Sequence, residues 1–489
     1  MEGDTVLVAA GTYSPSTNSE VFPIEMASGI HLIGSGEDVS IIDAQQTDRV
    51  ITMEDCDNNT ISDLTLTGGL ADSYGGGMRL SNSNPILTNV TISNNTANWG
   101  GGMHLNASNP ILNHVTISNN TAEIFGGGMV LFFSNPILNN MTISNNTASE
   151  ASGMRLYDSD PILTHVIISN NTAEYHGGGM WLDYSDPILT HVTISNNTAE
   201  YYGGGMRLSN SNPILTNVTI ANNTANNGGG GMYLNSANPI MNHVTITDNT
   251  ANSKGGGIYC YTNNELTYTS NILIADNYSV GHGGGIFLSA GANINLQHAT
   301  IAGNMVGEGD VFGAGIYSDG GTAYLLHSIA YYNRREGDFG INYNLNGYTM
   351  DMLEEFNVTY SDIEGDENWI PEGEANISLD PEFTDLEYSD YTLQEDSPCI
   401  DMGTVIEDME YCGSAPDMGA YEYITEDCEE CSDNIEGDTN FDGSVNILDI
   451  IIIANCILSD SCDICFDLNG DQDLDILDIV LIVNIILEN

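Results

Sequence analysis

The stretch GGGMRLSNSNPILTNVTISNNTA, residues 75–97, decides the fold because the chain repeats it as far as about residue 335. Equivalent positions recur at steps of 25 to 30 residues, at Met78, Met103, Met129, Met154, Met180, Met206, Met232, Ile258, Ile286 and Ile316. Such a period is typical of a solenoid, whose units bury their apolar faces by stacking on one another. Apolar residues alternate at period two between glycine and Asn-Pro breaks, as in strands. The repeat therefore predicts one coil of a parallel β-helix.

Two polar columns support this interpretation. The first is invariant along the repeat and consists of Asn95, Asn120, Asn146, Asn171, Asn197, Asn223, Asn249, Asn277, Asn304 and Asn333. We expect each of these side chains to hydrogen-bond to its counterpart one coil away, about 4.8 Å along the axis. The second column alternates Asn and His at Asn89, His114, Asn140, His165, His191, Asn217, His243, Asn271, His298 and His327. A metal site between His165 and His191 is one interpretation, but free exchange with Asn favours a hydrogen-bonding ladder.

The composition excludes several classes of partner. The 489 residues include 68 acidic and 7 basic ones, for a formal charge of -61. Nucleic acid and anionic membrane are therefore not expected partners, since phosphate binding needs clusters of Lys and Arg. No apolar run is long enough to span a membrane. The charge suits Ca²⁺ binding, and the chain is expected to be secreted or at the cell surface, with a signal peptide outside this sequence.

The nine cysteines are unevenly distributed. Cys56 and Cys260 lie in the repeat, and Cys260 occupies an inward column, which predicts a buried thiol. The other seven are near the C-terminus, at Cys399, Cys412, Cys428, Cys431, Cys456, Cys462 and Cys465. Disulfides in an exported protein are the favoured interpretation and zinc is the alternative, with the connectivity open.

The N-terminal residues and the repeat resemble known β-helices. The segments GDTVLVAAGTY, from residue 3, and IHLIGSGEDVSIIDA, from residue 30, resemble the opening of right-handed β-helix proteins with the pectin-lyase fold. This resemblance implies a cap over the first open edge. The repeat itself, with Ile92-x-x-Asn95, resembles those of bacterial surface adhesins. The expected fold is an all-β, right-handed parallel β-helix solenoid of about a dozen coils, followed by a small helical calcium-loop domain.

The period divides the chain into five predicted parts. Residues 1–62 form an N-terminal cap and the first coils, and residues 63–335 form the regular β-helix. The segments SPCIDMG, from residue 397, and DMGAYEY, from residue 417, resemble the C-terminal end of secreted β-helix proteins. They predict C-terminal coils, a cap and a disulfide-pinned loop over 336–425. An acidic linker, 426–436, precedes the last domain, 437–489.

The last domain contains two twelve-residue segments with the ligand spacing of calcium-binding loops. The predicted ligands are Asp438, Asn440, Asp442, Asn446 and Asp449 in the first, and Asp467, Asn469, Asp471, Asp473, Asp475 and Asp478 in the second. Each loop leads into an apolar segment, 447–458 or 476–487, that is expected to be helical. The pair resembles a type I dockerin, which implies Ca²⁺ as cofactor and a cohesin-like scaffold protein as partner. Gln472 stands where such a loop usually has glycine, so the first site is expected to be the tighter.

Residues that alternate with the inward Met and Leu must face outward. One outward column reads Arg79, His104, Val130, Arg155, Trp181, Arg207, Tyr233, Tyr259, Phe287 and Tyr317. A second outward column lies two residues later in each coil, and a third stands directly before the glycine run. An exposed apolar face of this extent marks a binding surface, and flat rings beside Arg and Asp suit sugar rings. The predicted ligand is extracellular polysaccharide, bound by Tyr157, Trp181, Tyr202 and Tyr233. The alternative is that the rings cover the sheet and stack on one another.

Two further functions remain open. A polysaccharide lyase or glycoside hydrolase of the pectin-lyase fold needs a cation to neutralise substrate charge and a base to take a proton. Arg155, Asp183, Arg207 and His176 are the catalytic candidates, but the scarcity of basic residues argues against a polyuronate substrate. A purely structural or ice-binding solenoid is the other alternative, because Thr91-x-Ser93 and its copies form outward hydroxyl arrays.

Overall fold

The computed structural model describes residues 3–262, 269–309, 311–337, 344–347, 355–365, 373–405 and 411–424, together with 445, 450, 479, 481–483, 485 and 486. The chain forms two compact units. The first comprises residues 1–406 and 416–422, and the second comprises 407–415 and 423–489. The first unit is a β-solenoid of about 13 turns, which confirms the fold predicted from the repeat.

A regular turn contributes strands to three sheets, and the strands of these sheets pair in parallel between successive coils. The first sheet, here called the methionine sheet, has 13 strands within the described residues. They are Ile24–Met26, Ile51–Glu54, Met78–Ser81, Met103–Asn106, Met129–Phe132, Met154–Tyr157, Met180–Asp183, Met206–Ser209, Met232–Asn235, Ile258–Thr262, Ile286–Ser289, Ile316–Asp319 and Leu345–Gly347. Equivalent residues are in register, so Arg155 pairs with Trp181 and Trp181 pairs with Arg207. This register positions the candidate site.

The second sheet, here called the long sheet, has 19 described strands. They are Thr5–Leu7, Gly11–Tyr13, His31–Ile33, Ser40–Asp43, Thr60–Thr67, Ile86–Ser93, Ile111–Ser118, Ile137–Asn139, Thr142–Ser144, Ile162–Thr164, Ile167–Ser169, Ile188–Thr190, Thr193–Ser195, Ile214–Ala221, Ile240–Thr247, Thr269–Ala275, Ala299–Ala302, Ile329–Tyr331 and Asp362–Ile363. It carries the predicted hydroxyl array. Thr91, Thr116 and Thr142 are neighbours in register, but Ile167 interrupts the column before Thr193.

The third sheet, here called the short sheet, has 11 described strands. They are Leu70–Tyr74, Thr96–Trp99, Thr121–Phe125, Thr147–Ala148, Thr172–Ala173, Thr198–Ala199, Thr224–Ala225, Thr250–Ala251, Tyr278–Ser279, Met305–Val306 and Arg334–Arg335. Two smaller sheets complete the described strands: Asn293–Gln297, Thr322–Leu326 and Phe356–Thr359 in parallel, and the antiparallel pair Phe383–Asp385 and Asp390–Leu393. The first strand, Thr5–Leu7, pairs with His31–Ile33. The division of the chain at residues 62, 335, 425 and 436 stays a prediction.

The inward columns fill a single continuous core. In one coil Met78, Leu80, Leu87, Val90 and Ile92 are all fully buried, and their equivalents along the solenoid are buried likewise. The thiol of Cys260 replaces the leucine in its coil, and burial raises its pKa to about 12. Because a coil buries its apolar side chains only against the coils above and below, stacking supplies most of the stability.

The asparagine ladder is present as predicted. All ten members are fully buried. Oδ1 of Asn120 accepts hydrogen bonds from the backbone N and the Nδ2 of Asn95, at 2.9 and 3.1 Å. Nδ2 of Asn120 donates in turn to the backbone oxygen of Ile92. The ladder continues beyond Asn333 to Asn344, which the sequence analysis missed because Asn344 follows after only 11 residues.

The alternating Asn/His column occupies a left-handed corner. Every member has φ between 48° and 54°, a conformation that Asn and His adopt more readily than most other residues. His165 and His191 stack with parallel rings 4.9 Å apart. The described residues contain no group of three or more His, Cys, Asp or Glu side chains that could hold a metal ion. The exchange between Asn and His therefore follows from the corner's backbone conformation.

A second ladder was not predicted. Ser83, Ser108, Ser134, Ser159, Ser185 and Ser211 are fully buried, and each Oγ from Ser108 onward accepts a hydrogen bond of 3.0 Å from the backbone N of the serine one coil earlier. These serines stand two residues before the prolines of the Asn-Pro breaks. In the sequence they resemble ordinary loop residues, and only the stacking of coils shows that they are internal.

The prediction of disulfides is correct for one described cysteine and wrong for another. Cys412, in the second unit, is disulfide-bonded. Cys399 is a free, buried thiol whose Sγ lies 3.3 Å from Oδ2 of Asp362. The segment of Cys399 packs against the last coils of the solenoid. There the backbone N of Met418 donates to the Cys399 oxygen, and that of Gly419 donates to the His327 oxygen.

In the second unit, residues 450, 479, 481–483, 485 and 486 are helical and fall within the two predicted helices. All eleven predicted calcium ligands lie outside the described residues, so calcium binding stays a prediction. Among the residues that the structure describes, no helix has the length and apolar character needed to cross a membrane.

Candidate functional site

The outward column of the methionine sheet is covered rather than exposed. Tyr233, Tyr259, Phe287 and Tyr317 are only 1–8 % exposed and form a small core of their own, outside the main one. Their rings pack against each other and against rings that precede the glycine turns, such as Tyr202, whose centroid is 4.6 Å from that of Tyr233. The expectation of a continuous exposed apolar face is therefore wrong over this part. Bulky rings one coil apart are close enough to bury one another.

The centre of the face is different, because charged groups stack there on an aromatic ring. Trp181 is half-buried between Arg155 of the preceding coil and Arg207 of the following coil. Each guanidinium carbon lies 4.2 Å from the Trp181 ring centroid. A guanidinium over an indole is held by the negative face of the ring, more strongly where water is excluded. We call Arg155, Trp181 and Arg207 the arginine–tryptophan stack.

Arg155 is the neutralised member of the stack. Its Nη2 lies 2.9 Å from Oδ2 of Asp183, and its Nη1 donates to the backbone oxygen of Leu156 at 2.7 Å. Burial lowers the pKa of the Arg155 guanidinium, and the hydrogen bond to Asp183 opposes that shift. Because a guanidinium is so strongly basic, the group stays charged at neutral pH.

Arg207 has no such partner. It makes neither an ion pair nor a hydrogen bond to any residue that the structure describes, and its Nε is buried without an acceptor. Burial lowers its pKa, while Tyr233 and Glu150 act in the opposite direction. The guanidinium is thus held by cation–π contacts, since its carbon lies 4.2 Å from the ring centroid of Trp181 and 5.8 Å from that of Tyr233.

Glu150 adds a carboxyl group that the sequence analysis did not select as a candidate. It is half-buried beside the two arginines, and burial raises its pKa while Arg207 and Arg155 lower it. Its coil has Ala151 at the corner that glycine occupies in the other coils of the repeat. Ala151 adopts φ of 54°, a left-handed conformation that is strained for alanine. The replacement of two glycines by Ala151 and Ser152 was the available signal.

His176 closes one side of the stack. Its ring lies parallel to that of Tyr202 at 5.6 Å and edge-on to that of Trp181 at 6.0 Å. Burial, with a smaller contribution from Arg207, lowers the pKa of His176 to about 4. The imidazole is therefore neutral at neutral pH and is available as a hydrogen-bonding group rather than as a charge.

Exposed rings flank the stack on both sides. On the side of His176, Tyr175 and Tyr201 stack at 5.7 Å and are 45 % and 43 % exposed. On the side of Asp183, Phe133 and Tyr184 are 53 % and 57 % exposed, and both contact the ring of Tyr157. Sequence analysis missed these four rings because they lie in turns, outside the alternating columns. With the stack between them they form what we call the aromatic groove.

The structure brings most of the predicted site residues together. The catalytic candidates Arg155, Asp183, Arg207 and His176 all surround Trp181. Of the predicted sugar-binding residues, Tyr157 and Tyr202 are half-buried within the groove, whereas Tyr233 is 5 % exposed and lies under its neighbours. Tyr233 is therefore placed to support the surface and not to form it.

The family model described as the right handed beta helix region matches residues 28–199 and 165–330, more than half of the chain. The chain belongs to this family. The match covers the coils that carry the groove, and it agrees with the hand that the N-terminal segments imply. No curated protein sequence matches this β-helix protein.

Several solved structures are similar to this chain at low identity and low TM-score. A pectate lyase is 12 % identical with a TM-score of 0.32, covering 86 % of this chain and 88 % of that one. A mannuronan C-5 epimerase A-module from Azotobacter vinelandii is 13 % identical with a TM-score of 0.35, over 78 % and 91 %. A mannuronic acid specific family 6 lyase from human gut microbiota is 12 % identical with a TM-score of 0.35, over 72 % and 87 %. These likenesses concern the fold alone.

Proposed function

We propose that this β-helix binds extracellular polysaccharide in the aromatic groove. The observation that carries the proposal is the pair of exposed ring sets, Tyr175 with Tyr201 and Phe133 with Tyr184, on the two sides of the arginine–tryptophan stack. Aromatic rings offer sugars an apolar surface for their CH faces, and the polar groups between them fix orientation. The solenoid supplies a rigid support, since each ring is anchored in a strand or turn that is hydrogen-bonded to its neighbours.

A glycan array with the full chain tests this proposal. Binding is expected to fall in the double variant Trp181→Ala/Tyr157→Ala and in Tyr201→Ala. The matched control is Tyr324→Ala, which removes a ring that is 46 % exposed on a different sheet. Loss of binding in the control alone, or no binding of any glycan, would contradict the proposal.

A second candidate function is cleavage of the bound polysaccharide by a lyase or a hydrolase. It is favoured by the position of Glu150, whose pKa is raised by burial, near Arg155, which pairs with the second carboxyl group, that of Asp183. A carboxyl group whose pKa is raised by burial is suited to act as a general acid. Each array hit is therefore assayed for new reducing ends and for unsaturated products. Product formation that is lost in Glu150→Gln or Asp183→Ala would establish that the protein is an enzyme. If no glycan binds on the array and no product forms, the remaining function is that of a structural solenoid.

We also propose that residues 437–489 bind Ca²⁺ and attach the protein to a cohesin-like scaffold protein, outside the cell or at its surface. The support is the ligand spacing in the sequence, with two loops that each lead into an apolar segment. Calorimetric titration of the full chain with Ca²⁺ is expected to show two sites, one of which is lost with Asp442→Ala, at position 5 of the first loop. Unchanged binding in Asp442→Ala and Asp471→Ala would rule the loops out as the site.

A further inference from the structure

Two arginines stack on the same indole, and they differ in their partners. Arg155 and Arg207 each lie 4.2 Å from the ring centroid of Trp181, on strands that flank it. Asp183 neutralises Arg155 at 2.9 Å. Arg207 has no ion pair and no hydrogen bond within the described part of the chain. Glu150 interacts electrostatically with both arginines but forms an ion pair with neither. One of the two charges on the stack is therefore unmatched.

Buried polar atoms without a hydrogen-bond partner gather at the same place. They are Nδ1 of His176, Nε1 of Trp181, Nε of Arg207 and Oγ of Ser209. Ser209, at 6 % exposure, is opposite Asp183 in register and two residues after Arg207 on the same strand. The Trp and Arg nitrogens can only donate, and the Ser hydroxyl can donate as well. Because a buried donor without an acceptor costs free energy, this cluster suits a ligand that brings acceptor oxygens.

The charge of the whole chain limits what that ligand can be. With 68 acidic and 7 basic residues, the protein repels a polymer that carries a charge on every sugar. A single unmatched guanidinium is suited to one oxyanion, and its planar fork matches the two oxygens of a carboxylate or sulfate group.

We propose that Arg207 binds one carboxylate or sulfate ester carried by a sugar unit of an otherwise neutral polysaccharide, with Ser209 as an additional donor. The inference rests on the proposed polysaccharide binding and adds a substrate class to it. The contact with Trp181 already restrains the guanidinium, so less side-chain entropy is lost on binding. The flanking rings, Tyr201 among them, then receive the neutral sugars on either side of the charged unit.

Tryptophan fluorescence of the full chain provides the test, since Trp181 is one of three tryptophans and contacts Arg207 directly. The probes are sodium glucuronate, glucose 6-sulfate and glucose, titrated at constant ionic strength. Both anions are expected to give a saturable change in emission that glucose does not give, and the tighter of the two identifies the group. Arg207→Gln should weaken anion binding roughly tenfold or more, because charge-assisted hydrogen bonds are lost.

The chain offers a matched control and a conservative variant. Arg79 occupies the same strand position five coils earlier, about 24 Å away along the axis, and Arg79→Gln should leave anion binding unchanged. Arg207→Lys keeps the charge but not the planar fork, so it should bind more weakly than the parent and more tightly than Arg207→Gln. If Arg207→Gln fails to fold, Ser209→Ala replaces it and is expected to weaken binding several-fold.

The other possible outcomes distinguish a failure of this inference from a failure of the proposed function. Equal responses to glucose and to the anions, or full anion binding in Arg207→Gln, would overturn the inference and leave neutral-glycan binding on the array intact. Anion binding that depends on Arg207, without any glycan bound on the array, would keep the anion site and overturn the proposed function. Tighter binding of a polyuronate than of single glucuronate units would contradict the argument from net charge.

Discussion

Nη2 of Arg155 lies 2.9 Å from Oδ2 of Asp183, although 28 residues separate them in the chain. The two residues are on neighbouring strands of the methionine sheet, Met154–Tyr157 and Met180–Asp183. Their side chains are 9 % and 20 % exposed, so the ion pair is largely shielded from water. Residues about one repeat apart in the sequence are thus in direct contact, and Asp183 of one coil neutralises Arg155 of the coil before it.

Removing the carboxylate is expected to destabilise the solenoid. In Asp183→Ala the Arg155 guanidinium keeps its bond to the Leu156 oxygen but loses its anion, which should cost about 2 kcal/mol in the free energy of unfolding. Chemical denaturation measures this cost. Asp319→Ala is the control, because Asp319 has the same strand position in a later coil and no ion pair among the described residues. A cost as large for Asp319→Ala would show that the ion pair is not the cause.

The strained corner at Ala151 is expected to be replaceable by glycine with a gain in stability. Ala151 adopts φ of 54° where the next coil has Gly177 at 64°. Ala151→Gly should stabilise the protein by about 0.5–1 kcal/mol, since left-handed alanine costs more than the extra unfolded-state entropy of glycine.

The reverse change supplies the control for Ala151. A Cβ on Gly177 would lie 2.9 Å from the Met180 oxygen, so Gly177→Ala should destabilise by about 1–2 kcal/mol. The two changes are compared by their thermal midpoints. Destabilisation by Ala151→Gly would mean that the alanine methyl group contributes packing at the groove that outweighs its strain.

The repeat predicted the fold because its signals are local and recur in every coil. The inward Met and Leu positions and the Asn95 column each follow from spacing alone, and each is buried as expected. The groove could be predicted only in part. Trp181 lies on a strand whose alternation shows that it faces outward, but Tyr184 lies in a turn, where period two gives no direction. Burial was misjudged for Tyr233, because the covering rings come from other coils.

Substitution of a residue in the asparagine ladder is expected to reduce stability far more than substitution of the residue beside it. Asn171 receives hydrogen bonds from the N and Nδ2 of Asn146 and donates to Asn197 and to the Ile143 oxygen. Asn171→Ala leaves several of these buried groups without partners, so we expect a loss of roughly 3 kcal/mol or more. The measurement is the thermal midpoint together with the yield of soluble protein.

The neighbouring Asn170 provides the matched comparison for Asn171. It is exposed at φ of 56°, and a later coil carries Gly303 at the same corner, at φ of 63°. Asn170→Gly should therefore change stability by no more than a few tenths of a kcal/mol. Equal losses of stability at both positions would show that the backbone conformation of the corner, rather than the hydrogen bonds of the asparagine ladder, determines the loss.

Stability is expected to fall on acidification because two buried histidines must remain neutral. Nδ1 of His327 and Nε2 of His298 are 2.9 Å apart, both side chains are fully buried, and Nε2 of His327 accepts from the backbone N of Thr404. Burial lowers the pKa of His298 to about 3, with a further contribution from His327, and lowers that of His327 to about 4. In the unfolded chain both titrate near 6.5.

Between about pH 4 and pH 6.5, therefore, the unfolded state binds about two more protons at this pair than the native state does, and stability rises with pH. Asp362 acts in the opposite direction, since burial raises its pKa to about 7 and it holds a proton in the native state that the unfolded chain releases. The histidine contribution is isolated by comparing the parent with His298→Asn/His327→Asn, which suits these corners because Asn271 occupies an equivalent one at φ of 54°. The double variant should lower the slope of unfolding free energy against pH by about two protons in this window. An unchanged slope would mean that the pair takes up a proton without unfolding, and that its burial does not exclude charge.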